Sequence, residues 1–174
     1  MKTIARLLAG LLVVAAALPE LPRYRAEIEL AQAGRQIDAV LRGGVRGADA
    51  VDAARRAEAA ARDAATWLPG DARPPLHRAV ALMLLARTTE AIDVLDAAIR
   101  AGERPELTLN LGRARFQGGD RAGADRAYLR AAWAAPAVLA TLPRPIRTEL
   151  LDRVAQHEDA LREGRVTTAP PLDD

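Results

Sequence analysis

The side chains that could do chemistry in this 174-residue chain are few, and the missing ones narrow the field. There is no Cys and no Ser, which removes thiol nucleophiles, serine triads, disulfides, lipid attachment through Cys and thiolate metal sites. Lys2 is the sole lysine, so no Gly-rich loop ends in the lysine of a P-loop, and the body has no Schiff-base amine. His77 and His157 lie 80 residues apart. His157-Glu158 opens like a zinc-protease helix, but Leu161 stands where the second His must fall. Both histidines therefore read as surface residues of helices. A catalyst would have to use carboxylates and arginines alone, as two acids converging in a cleft, and no such pair is offered. No enzyme, cofactor or metal site is expected.

Charge excludes another class. Of the 25 Lys plus Arg, Lys2 and Arg6 fall in an acid-free first segment, which leaves 23 Arg against 23 Asp plus Glu. The two signs are interspersed, as in Asp52/Arg56 and Glu58/Arg62, four apart on one helix face. Nucleic-acid binding needs a basic stripe, so no nucleic-acid partner is expected.

Composition dictates the elements that must position everything else. Half the residues are apolar, only 3% are aromatic, and alanine alone supplies 40. Alanine favours helix and lets helices approach closely, and no alternating strand pattern appears. The fold class is all-α. Helices are expected at about Arg23–Leu41, Ala48–Trp67, Pro75–Ala86, Thr89–Ala101, Pro105–Gln117, Arg121–Ala134 and Ile146–Glu163, punctuated by Gly and Pro. Ile28, Leu30, Ala31, Ile37, Val40 and Leu41 mark one side of the first helix. The third, apolar all round at Ala79–Leu85, reads as the most buried. One helical turn fits between Pro136, Pro143 and Pro145. Residues 164–174 read as a disordered tail.

At the other end, Lys2 and Arg6 precede 12 uncharged residues, Leu7–Leu18, with Ala15-Ala16-Ala17 as a small-x-small cleavage site. This is the layout of a secretory signal. The run is short for a spanning helix, which needs about 20 residues. The directly following helix keeps an uncleaved inner-membrane anchor as the alternative for residues 1–18. Either way the body lies across the membrane, in the periplasm, because positive charge stays inside.

The two stretches Ala72–Arg104 and Pro105–Pro136 carry one pattern about 33 residues apart. The second holds Asn110-Leu111-Gly112, Ala114, Phe116, Gly119-Asp120, Ala124, Tyr128, Ala131 and Pro136. The first holds Ala79, Glu90-Ala91-Ile92, Leu95 and Ala98. These residues resemble the tetratricopeptide repeat family, with Leu68-Pro69-Gly70-Asp71 looking like the end of a degenerate earlier repeat over 23–71. Three departures stand out: Pro75 and Thr108 replace an early aromatic, Arg115 replaces another, and Glu103 replaces the closing proline of the middle repeat. The resemblance implies a right-handed stack of antiparallel helix hairpins over 19–163, a TPR-like α-solenoid with repeats 72–104 and 105–136 and a capping helix at 146–163. Units of this kind bury their apolar faces only by stacking. Gly112 is expected to pack near Ala124, with Leu95 and Tyr128 filling the seams.

In that family the first helices line a concave groove for a peptide or partner helix. Here that face comprises Arg73, His77, Val80, Met83 and Leu84, then Glu106, Leu109, Asn110, Arg113, Phe116 and Gln117. Asn110 and Arg113 could hold a partner's backbone or carboxylate, and Phe116 could anchor it. The bland alternative has Asn110 bracing the helix, Arg113 solvated and Phe116 in the core. The function so implied is a non-catalytic periplasmic protein–protein interaction or scaffold module. In layout it is similar to small tetratricopeptide accessory proteins of envelope and exopolysaccharide assembly. The alternative is a small-molecule or lipid carrier, which would need a closed cavity bounded by Val80, Met83 and Leu84.

Overall fold

The structure, a computed structural model, describes residues 20–172. The signal or anchor expected over 1–18 lies outside the described residues. Among those described there is no strand, and no helix is long and apolar enough to cross a membrane. The order is α1 (Leu21–Leu41), α2 (Gly47–Trp67), α3 (Arg73–Leu84), α4 (Thr88–Ala101), α5 (Pro105–Gln117), α6 (Arg121–Ala134), a 3-10 turn η1 (Pro136–Thr141) and α7 (Arg144–Arg162). Proline stands in the first two positions of α1, α3, α5 and α7. There its missing N–H costs nothing and its fixed φ favours the helix.

Each helix packs on its sequence neighbours. In addition α1 touches α3, α3 touches α5, and α5 touches η1. The α1–α2 pair is held by small residues: Ala26, Leu30, Ala33 and Ile37 of α1 meet Ala57, Ala61 and Ala64 of α2. This corrects the side of α1 expected to be buried. Ile28 and Leu41 are exposed, because the 3–4 spacing of Ala26, Leu30, Ala33 and Ile37 allows the closer approach to an alanine-faced partner.

The most buried helix is α5, not α3. Leu107 through Gly112, and Ala114, are all buried, whereas α3 buries Pro74, Ala79, Ala81 and Leu82. The reason is position: α5 is covered by α3, α4, α6 and η1. Leu95 fills the space between Leu82, Leu107 and Leu111. Gly112 lies so close to α6 that a Cβ there would sit 2.6 Å from Tyr128 Cδ1 and 3.2 Å from the Ala124 carbonyl.

The tail expected to be disordered from residue 164 is instead folded back on the body as far as Leu172. Pro170 is fully buried, and Leu172 packs against the cluster around Leu95 and Leu111. Burial of these two side chains, together with main-chain hydrogen bonds to Arg115 and Arg130, offsets the cost of ordering the segment.

Candidate partner-binding surface

The face expected to line a groove is divided by its own neighbours into a filled middle and two open ends. In the middle of α3, His77, Val80 and Leu84 turn toward α1. The His77 ring stands over Gly34, where a Cβ would lie 3.1 Å from Cε1. Val80 and Leu84 pack with Ala33, Ile37 and Ala57. Burial, and then the charge of Arg73, lower the His77 pKa below its ordinary value. In the middle of α5, Leu109 is core, packed with Tyr128, Leu139 and Leu150. The Asn110 amide donates to the Glu106 carbonyl at 2.8 Å, and its oxygen accepts from Arg113 Nη1 at 3.2 Å. Arg113 Nη2 donates to Thr141 Oγ1 of η1. Asn110 therefore braces its own helix, and Arg113 is engaged with η1 rather than solvated.

At one end, Arg73 and Glu106 face a common open cleft of about 710 Å³, which also takes in Arg23, Glu27, Leu76 and Arg104. The Arg73 guanidinium grips Glu27 of α1 with both nitrogens, at 3.0 and 2.7 Å, while its Nε donates to Asp71 at 2.9 Å. These bonds raise the Arg73 pKa further, and the bond from Arg73 holds Asp71 below the usual carboxylate range. Locked ion pairs of this kind fix a surface pattern of charge and have no proton to exchange near neutrality. Nothing in the sequence sets Glu27 or Arg104 apart. Their charges look like any solvated pair until α1 is laid beside α3.

At the other end, Gln117 Nε2 donates to the Met83 carbonyl at 3.0 Å, tying α5 to α3. Beside it Phe116 is 53% exposed, so it is not core. Arg121 lies over its ring, 5.1 Å from the centroid. Met83 is half-buried against the cluster around Leu82 and Leu111.

Comparison with protein-family models, with curated proteins and with solved structures finds no match.

A second open cleft, of about 700 Å³, lies on the other side of the Leu68–Ala72 turn, between the end of α2, the start of α3 and α4. Its Glu90 is paired with Arg87, which lowers the carboxyl pKa. Neither cleft is lined by Val80, Met83 or Leu84, whose side chains pack into the body. Among the described residues no group of three or more acids and histidines is placed to hold a metal ion.

Proposed function

We propose that this chain is a non-catalytic protein–protein interaction module of the tetratricopeptide type, a right-handed stack of helix hairpins closed by α7. It works on the periplasmic side of a bacterial inner membrane, either soluble after removal of residues 1–18 or tethered through them. Its layout suits an accessory of envelope or exopolysaccharide assembly.

The observation that carries the reading is the row of first helices, α1 on α3 and α3 on α5. The turns after α3 and α5 are ordinary left-handed helix ends, found also at Gly43 and Gly164, but their 33-residue spacing agrees with it. Arg87 N–H donates to the Leu82 carbonyl at 2.9 Å, and 33 residues on Asp120 N–H donates to the Arg115 carbonyl at 2.9 Å. Just before, Ala86 N–H meets the Met83 carbonyl and Gly119 N–H meets the Phe116 carbonyl, both at 3.1 Å. The exits match too: α4 and α6 end in extended residues, Gly102 and Ala135, again 33 apart. Together with the contacts of α1 with α3 and of α3 with α5, this supports equivalent hairpins set side by side with their first helices in a row. The partner then engages the open ends of that row, the charged cleft at Arg73 and Glu106 and the Phe116 end.

The absence of cysteine makes the test direct. Single cysteines at Glu106 and Phe116, carrying a photo-cross-linker, are expected to trap the same protein in membranes. A cysteine at exposed Arg55 on α2 is expected to trap none. Equal capture from all three positions sinks the reading. N-terminal sequencing of the same material decides the leader: a terminus at Leu18 means cleavage, and an intact Met1 in the membrane fraction means an anchor.

A further inference from the structure

The most specific polar arrangement in the molecule lies away from the row of first helices, where the chain grips its own C-terminal segment. At the end of α7, Gly164 adopts a left-handed φ of +71°, and Arg165 N–H closes back on the Ala160 carbonyl at 2.9 Å. The chain then runs back across the body without forming a helix. Three side chains from three helices meet it. His157 Nε2–H of α7 donates to the Thr168 carbonyl at 2.9 Å. Arg130 Nη1 of α6 donates to the Pro170 carbonyl at 3.2 Å. Arg115 Nη1 of α5 donates to the Leu172 carbonyl at 2.9 Å. The carbonyls are those of alternate residues in a non-helical segment that bends at Thr168 and at Leu172.

The donors are held in place by other bonds. Arg130 is clamped by Glu103 through two bonds of 2.7 and 2.6 Å and lies over the Trp133 ring at 5.6 Å. The Arg115 side chain is only 11% exposed and also pairs with Asp96. Glu103 and Arg115 are two of the positions where the sequence departs from the repeat pattern, and here both serve the segment. Between the donors, Pro170 is fully buried. Proline brings no N–H that burial would leave unpaired. Leu172 packs against the cluster of Leu95, Leu111 and Ala127.

We propose that Arg115, Arg130 and His157 form a binding site for a non-helical, proline-containing peptide, and that residues 166–172 are its tethered ligand. The three bonds read main-chain carbonyls, so specificity comes from the proline slot and the leucine anchor. Tethering through the turn at Gly164 supplies the segment at an effective concentration of about millimolar. A free peptide of the same chemistry therefore enters only when the tail is released. The site is independent of the cleft at Arg73 and Glu106, and its failure would leave the interaction reading of that cleft untouched.

The test uses the full chain with its own tail disabled by Pro170→Gly and Leu172→Asp, and a fluorescent peptide of residues 164–174 as probe. The tail-disabled chain is expected to bind this peptide by anisotropy and to ignore a scrambled one, while the wild type binds about tenfold more weakly or less. Adding Arg115→Met or Arg130→Met is expected to cost about tenfold more, the loss of one charge-assisted hydrogen bond. A well-folded tail-disabled chain that binds neither peptide, or both alike, overturns the proposal. A second measurement needs no disabled tail: a spin label on Thr167→Cys, the sole cysteine, in the otherwise wild-type chain. Its spectrum is expected to be broad and to sharpen when Arg115→Met is added. A spectrum sharp from the outset, or unchanged by Arg115→Met, overturns the proposal equally.

Discussion

Ala86 and Gly119 occupy the same place in two successive interhelix turns, 33 residues apart, and both take up a left-handed backbone, with φ of +57° and +89°. Glycine does this without penalty, whereas the Cβ of alanine crowds the following carbonyl. The α3–α4 turn thus keeps the geometry of the α5–α6 turn with the less suitable residue. Ala86→Gly is expected to stabilise the protein by about 0.5–1 kcal/mol, the relieved strain less the extra unfolded-state entropy of glycine. Chemical denaturation should show a raised midpoint with an unchanged slope. A lowered midpoint would mean that the turn does not need the left-handed residue.

Gly112 and Tyr128 make the opposite case, where glycine is required for space. On helix propensity alone, Gly112→Ala should gain about 1 kcal/mol. In the structure the new Cβ would lie 2.6 Å from Tyr128, whose ring is hemmed in by its cluster with Leu109, Leu139 and Leu150. Packing overrides propensity, so Gly112→Ala is expected to destabilise. Gly112→Leu is expected to cost about 1–3 kcal/mol. Adding Tyr128→Leu to Gly112→Ala should recover part of the loss. Thermal melts of the two single variants and the double variant measure the coupling.

These two glycines also show what could be read from the chain before it was folded. The limits of α5 and α6 are visible because Pro105, Gly118-Gly119 and Gly102 punctuate them, and the other helices agree within two residues. The buried side of α1 was hidden because alanine contributes little to an apolar pattern, yet it sets how closely α2 approaches. Likewise, nothing in Val80 or Leu84 says that α1 will cover them, since that depends on the path of another helix. The docked tail was the least legible. Its recognition rests on carbonyl oxygens, which every residue carries, and on arginines that look like solvated charge until Glu103 and Asp96 are seen beside them.

Glu58 is a buried acid that ties α2 to α3. It accepts from Arg78 Nε at 3.0 Å and from Arg62 Nη1 at 3.5 Å. Glu58→Leu leaves both guanidiniums without this partner. The expected loss is about 1–3 kcal/mol, below the range for a fully buried pair, because the Arg78 side chain is 32% exposed and keeps some water. Adding Arg78→Met removes the stranded charge and should restore part of the stability. Urea titration of the single and double variants checks both steps, and a double variant no better than Glu58→Leu would show that Arg78 was never strained by the loss.

His77 gives the protein a defined response to acid. Its ring packs on Gly34, its Nδ1 is buried without a hydrogen bond, and Arg73 lies nearby, so protonation is disfavoured in the folded state. Asp38, Asp71 and a hydrogen bond to the Leu30 main chain pull the other way but do not prevail. The pKa is thus lower folded than unfolded, where it is near the ordinary 6.5. Above that value both states hold a neutral imidazole and its packing contributes in full. As the pH falls through 6.5 the unfolded chain takes up the proton first, so stability declines until the folded pKa is passed. His77→Gln, which cannot be protonated, is expected to lower stability at pH 8 but to flatten its fall as the pH drops below 7 relative to the wild type. Unfolding free energies measured across that window decide it. Parallel curves for the two proteins would show that the acid response arises elsewhere, in the carboxylates that Arg73, Arg87 and Arg130 hold ionised.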